Sequence, residues 1–89
     1  QAEQWGMIWK CVDDNQLMPE ATALSRQLAA QATRALGLTK RAIYASAGNT
    51  FDQQLDLERD LQREAANSED FREGVTAFKE KRPAKFTGR

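Results

Sequence analysis

Phe71, Val75 and Phe78 recur at i, i+4 and i+7 within the stretch Ser68–Arg89, SEDFREGVTAFKEKRPAKFTGR, a spacing that puts all three on one face of a helix. Lys81 follows Phe78 by three residues and so lies close beside it. An exposed aromatic ring with an ammonium next to it can hold a flat ring and an attached phosphate. The same spacing also fits Phe78 as core and Lys81 as a solvated charge at a helix end, and spacing alone favours this plainer reading. Paired carboxylates occur at Asp13-Asp14, at Asp56 with Asp60, and at Glu69-Asp70. They fall in a turn, on a wet helix face and at a helix start, none of them desolvated enough for acid–base work. The five glycines are scattered and form no phosphate loop. Gly74 lies inside a helical pattern, where glycine costs about 1 kcal/mol relative to alanine, so a close approach by another group is expected there.

The elements that carry these residues are read from caps and periods. Gln1–Gly6 resembles a last helical turn stopped by Gly6. Met7–Val12 is a short apolar run with β-leaning members and is expected to be a strand, although it has no ladder partner in this chain. Asp14 or Asn15 caps a first helix reaching about Gln31, with Pro19 in its first turn and Leu17, Ala21, Leu24 and Leu28 in period. Thr33 caps a second, Arg34 to about Ala47, closed by Gly48-Asn49. Thr50 and Gln53 fit a capping box that opens a third helix, Phe51 to about Asn67. Its wet face carries Asp56, Asp60, Arg59 and Arg63. Ser68 caps the fourth, which Pro83 closes near Lys81, and a basic tail follows.

Length and composition set bounds. Eighty-nine residues suit one small domain burying roughly 60–65% of its unfolded surface, with a core thin enough to lean on a partner. The chain is 40% hydrophobic and 29% charged with a net charge of zero, which suits a folded chain and argues against a nucleic-acid binder. The charge is uneven: Thr50–Glu73 carries eight acids against three bases, and Lys79–Arg89 carries five bases against one acid. With one cysteine, Cys11, and no histidine, a conventional zinc site and any triad built on histidine are excluded. A reducing, cytoplasmic setting is expected. No run is long and apolar enough to span a membrane, and no signal peptide is visible. The start at Gln1 suggests a piece of a longer protein.

Three stretches, AEQWGMIWKCVDD, RALGLTKRAI and LDLERDLQREAANSEDFREGVTAFKEKRPAKFTGR, resemble the C-terminal end of the enoyl-CoA hydratase/isomerase (crotonase) superfamily. Its most specific part is E-G-V-x-A-F-x-E-K-R followed by P-x-K-F-x-G-R, Glu73 to Arg89. The A-E-x-W-G-M-I-W opening and the Q-L-D-L-E-R-D-x-Q-R-E run (Gln54–Glu64) look most like its phenylacetate-degradation branch, which isomerises a ring-epoxide acyl-CoA. The resemblance implies an all-α, four-helix C-terminal domain of the crotonase fold over residues 16–89. Residues 1–15 would be the end of an N-terminal spiral domain, ending in a short strand or extended segment. It implies an acyl-CoA thioester as substrate, with CoA part of the substrate and no separate cofactor or metal. A homo-oligomer, a trimer or dimer of trimers, follows from the same likeness.

By that resemblance Phe78 and Lys81 match positions that approach the adenine and phosphate end of CoA. Lys79 stands where relatives often have an apolar residue. The oxyanion hole and the acids of the family belong to the spiral domain, so no catalytic residue is expected in this stretch and it should be inactive alone. The C-terminal domain of a 2-enoyl-CoA hydratase is the alternative within the family. A stand-alone helical interaction module is the alternative outside it.

Overall fold

The computed structural model describes residues 1–89 and contains four helices and no strand. Helix α1 spans Asp14–Ala29, α2 Thr33–Ser46, α3 Phe51–Ala66 and α4 Glu69–Glu80. The all-α, four-helix expectation holds. The strand expected at Met7–Val12 is absent, because nothing in the chain offers its backbone a ladder. In its place the Cys11 N–H donates to the Glu3 carboxylate at 2.8 Å.

Gly6 does stop a helical turn. At φ +71° it lets the Gly6 N–H reach the Glu3 carbonyl and the Met7 N–H reach the Ala2 carbonyl, the two bonds of a Schellman ending. α1 takes the expected cap Asp14 as its first residue, so its cap position falls one residue earlier. Asp13 precedes it without a side-chain capping bond, and Pro19 falls in the second turn rather than the first. α2 likewise takes Thr33 as its first residue, with Ala32 in the cap position. The third and fourth starts are as expected. Thr50 and Gln53 form the reciprocal capping box, and the Ser68 hydroxyl accepts from the Phe71 N–H at 3.0 Å.

α2 and α3 form an antiparallel pair. Arg34 at the start of α2 meets Glu64 near the end of α3 at 3.1 Å, and Gln54 at the start of α3 donates to the Ala42 carbonyl late in α2. α4 packs more lightly on α3, with Leu61 and Ala77 the only buried apolar residues. α1 contributes no buried residue and is tied back by one ion pair, Lys10 to Glu20 at 3.0 Å. On the wet face of α3, Arg59 bridges Asp56 and Asp60, and Arg63 adds a second contact to Asp60. The hydrogen bond from Arg59 holds the Asp60 carboxyl below its ordinary value.

The thin core expected from length is thinner still. The accessible surface is 7510 Å² for 10.0 kDa, where a compact monomer of that mass shows about 5,200 Å². Only about half of the unfolded surface is therefore removed from water, rather than the expected 60–65%. The radius of gyration, 16.7 Å, exceeds the roughly 12 Å of a compact domain of this length. The physical reason is that α1 and the apolar faces of α2 and α4 have no layer above them. Trp5, Trp9, Met18, Ile43 and Phe51 all stand in solvent.

Candidate functional site

α4 ends at a left-handed residue that is not glycine. Lys81 has φ 53° and ψ 43°, the sole positive φ outside glycine. Its N–H reaches the Phe78 carbonyl at 3.3 Å, and the Arg82 N–H reaches the Ala77 carbonyl at 3.0 Å. These are the same two bonds that Gly6 closes at the other end of the chain. One turn geometry is thus built twice, once with glycine and once with lysine. The lysine version costs about 1–2 kcal/mol, because the Cβ crowds the following carbonyl. The helix closes where Pro83 predicts, and Pro83 takes no part in the turn's two bonds.

Phe78, one turn earlier, is 85% exposed, so the core reading of this ring does not hold within the chain. Lys81 joins none of the chain's ion pairs. Phe78 lies on the rim of an open apolar groove of about 500 Å³ between α2 and α4, with Phe71, Val75 and Phe86 among its walls. Lys81 is not among the residues of that groove, whereas Lys79 is. Phe78 and Lys81 are therefore neighbours on the helix end without sharing one pocket. The neighbour of Gly74 is the Phe86 ring, but an added Cβ would lie 3.5 Å from it, an ordinary van der Waals contact, so the close approach expected there is not found.

The basic tail does not run free. Arg82 forks onto Glu73 with Nη1–Oε1 at 2.7 Å and Nη2–Oε2 at 3.1 Å, and its Nε donates to Glu80 at 2.6 Å. Glu73 also accepts the Lys85 N–H at 2.8 Å. The bond from Arg82 and then that from Lys85 hold the Glu73 carboxyl down at about 2, against a smaller opposing effect of burial. The same pairing drives the Arg82 guanidinium above its ordinary value.

Farther along, Asp70 is only 3% exposed and accepts from the Thr87 N–H at 2.7 Å and the Gly88 N–H at 2.8 Å. Its own N–H donates to the Arg89 main-chain oxygen at 2.8 Å. Asp70 is thus desolvated, which was not expected of this pair, but it is fully partnered, and its work is structural, as its place at a helix start implies. Sequence marks Asp70 only as one of a carboxylate pair at a helix start, and it does not single out Glu73, Arg82 or Phe86 as its companions in this clasp. The visible signal was the acidic stretch ending at Glu73 opposite the basic stretch from Lys79. No group of three or more potential metal ligands occurs in the structure, and no helix is long and apolar enough to cross a membrane.

Residues 1–89 match the family described as enoyl-CoA hydratase/isomerase. The chain is 56% identical over its whole length to the 1,2-epoxyphenylacetyl-CoA isomerase of Escherichia coli strain K12, covering 34% of that protein. It is 43% identical to a probable enoyl-CoA hydratase of Rhodobacter capsulatus, of which it covers 35%. Among solved structures, an enoyl-CoA hydratase subunit I of Geobacillus kaustophilus superposes with a TM-score of 0.92 at 35% identity, over 99% of this chain and 34% of that one. The chain spans about a third of the length of these relatives.

Proposed function

The chain belongs to the enoyl-CoA hydratase/isomerase family, and on that premise we propose that it is the C-terminal part of an acyl-CoA isomerase acting on a ring-epoxide thioester. In this reading residues 1–15 close the catalytic spiral domain, and residues 16–89 contact CoA and assemble the oligomer, a trimer or dimer of trimers. Phe78 lies against the adenine and Lys81 meets a phosphate, the ring supplying a flat apolar face and the ammonium a charge-assisted bond.

The observation that carries the reading is the left-handed lysine. Gly6 shows that glycine makes this turn without strain, so a lysine at position 81 points to a use for its side chain. The exposure of Phe78 and the freedom of Lys81 from ion pairs leave both groups open to a ligand. The uncovered apolar surface suits a domain completed by the rest of its protein and by other copies. The exposed free Cys11 is in keeping with a reducing, cytoplasmic setting.

The chemistry itself belongs to parts outside residues 1–89. Here the carboxylates are solvated or used as clasps, and stabilisation of a thioester enolate needs preorganised donors at the developing oxyanion. The stretch alone is accordingly inactive. The higher identity to the epoxide isomerase than to the probable hydratase favours isomerisation, with a 2-enoyl-CoA hydratase the second reading.

The test uses the complete protein with 1,2-epoxyphenylacetyl-CoA and, separately, a 2-enoyl-CoA. Isomerisation of the first supports the proposal, and hydration of the second alone replaces it with the second reading. Within either reading, Lys81→Ala raises KM for the thioester more than it lowers kcat, because remote binding is removed. An unchanged KM takes Lys81 out of the site.

A further inference from the structure

We propose that Glu73 and Arg82 are positioning residues for Lys81: their two-pronged pairing fixes the left-handed turn and so the direction in which the lysine leaves α4. The inference rests on the reading of Lys81 as a CoA contact.

Lys81 occupies a backbone conformation that side-chain-bearing residues adopt rarely, at φ 53°, and such conformations persist only where the surroundings over-determine them. The two backbone bonds of the turn are ordinary, at 3.3 and 3.0 Å. What the Gly6 turn lacks is the clamp. Arg82, the residue immediately after Lys81, is pulled back along α4 onto Glu73 by two parallel bonds, 2.7 and 3.1 Å long, a planar geometry that fixes direction as well as distance. Glu80 takes its remaining edge at 2.6 Å. The chain beyond is held by the same carboxylate through the Lys85 N–H at 2.8 Å. The chain beyond Lys81 is thereby fixed to α4 at Arg82 and Lys85, and Phe78 sits on that same helix.

The clamp also sorts the charges. Arg82 is neutralised by Glu73 and Glu80, whereas Lys81 has no carboxylate partner. Of the two consecutive cations, the structure uses one as a fastener and leaves the other free for an anion.

The experiment measures the dissociation constant of coenzyme A for the complete protein by calorimetry, in Glu73→Gln, Arg82→Gln, Lys81→Ala and the two doubles with Lys81→Ala. Glu73→Gln removes one negative charge and Arg82→Gln one positive charge, so a simple field effect moves CoA affinity in opposite directions. Positioning predicts that both weaken it, each by about three- to tenfold, and that neither has a further effect once Lys81 is alanine. Unchanged or tighter binding in Glu73→Gln overturns the proposal. So does weakening that persists in the Lys81→Ala background, since the pair then acts through something else. If Lys81→Ala alone binds CoA like the wild type, the CoA contact itself has failed, and the positioning role fails with it.

Discussion

Replacing Lys81 by glycine separates what its backbone does from what its side chain does. In the left-handed region the Cβ of Lys81 (φ 53°, ψ 43°) costs about 1–2 kcal/mol. Glycine removes that cost but gives up about 0.5–1 kcal/mol through the greater freedom of its unfolded chain. The net expectation is a stabilisation of about 0.5–1 kcal/mol, a gain of about 1–4 °C in melting midpoint for a protein of the relatives' length. Alanine keeps the Cβ and the strain while removing the ammonium. Scanning calorimetry with and without coenzyme A, at matched protein concentration, distinguishes the two. Lys81→Gly melts higher than wild type without ligand, Lys81→Ala does not, and both gain less than wild type when coenzyme A is added. A Lys81→Gly protein that melts lower refutes the strain argument. One that keeps the full ligand-induced gain refutes the claim that the lysine is there for its side chain.

Two further outcomes test the clasp. Glu73 is held at about 2 against an ordinary 4.5, so its contribution is complete above about pH 4.5 and is lost as the pH falls toward 2. The urea midpoint of the complete protein therefore drops less between pH 5 and pH 3 in Glu73→Gln than in wild type, and equal losses would remove Glu73 from the account. At Gly88 (φ +80°) an added Cβ would lie 2.7 Å from the Thr33 hydroxyl. Gly88→Ala accordingly lowers hydrogen-exchange protection of the Thr87 and residue-88 amides that donate to Asp70, and Thr33→Ala restores it in part. Unchanged protection would show that the tail does not need this fit.

The helices were legible because their signals are local. Ser68 and the Thr50–Gln53 box satisfy donors within three residues of themselves, and Gly6 and Pro83 end turns by the limits of their own dihedrals. Where local signals compete, boundaries slip by a residue, as at Asp13 and Ala32, and the apolar run Met7–Val12 reads as a strand although it has no partner to pair with.

Phe78 illustrates the opposite case. Its period marks a helical face but does not say whether anything covers that face, and in this chain nothing does. The clasp joins residues nine to eighteen apart, Glu73 to Arg82 and Asp70 to Gly88. In the sequence these read as a helix-start acid, a mid-helix acid and a solvated basic tail. Sequence alone determined four helices, the caps of the third and fourth, the candidate pair Phe78 and Lys81, and the family likeness. Only the tertiary structure decided that the tail folds back, that Lys81 is the left-handed residue, and that Arg82 is spent on Glu73. Those outcomes depend on which distant groups share space, and no local period encodes that.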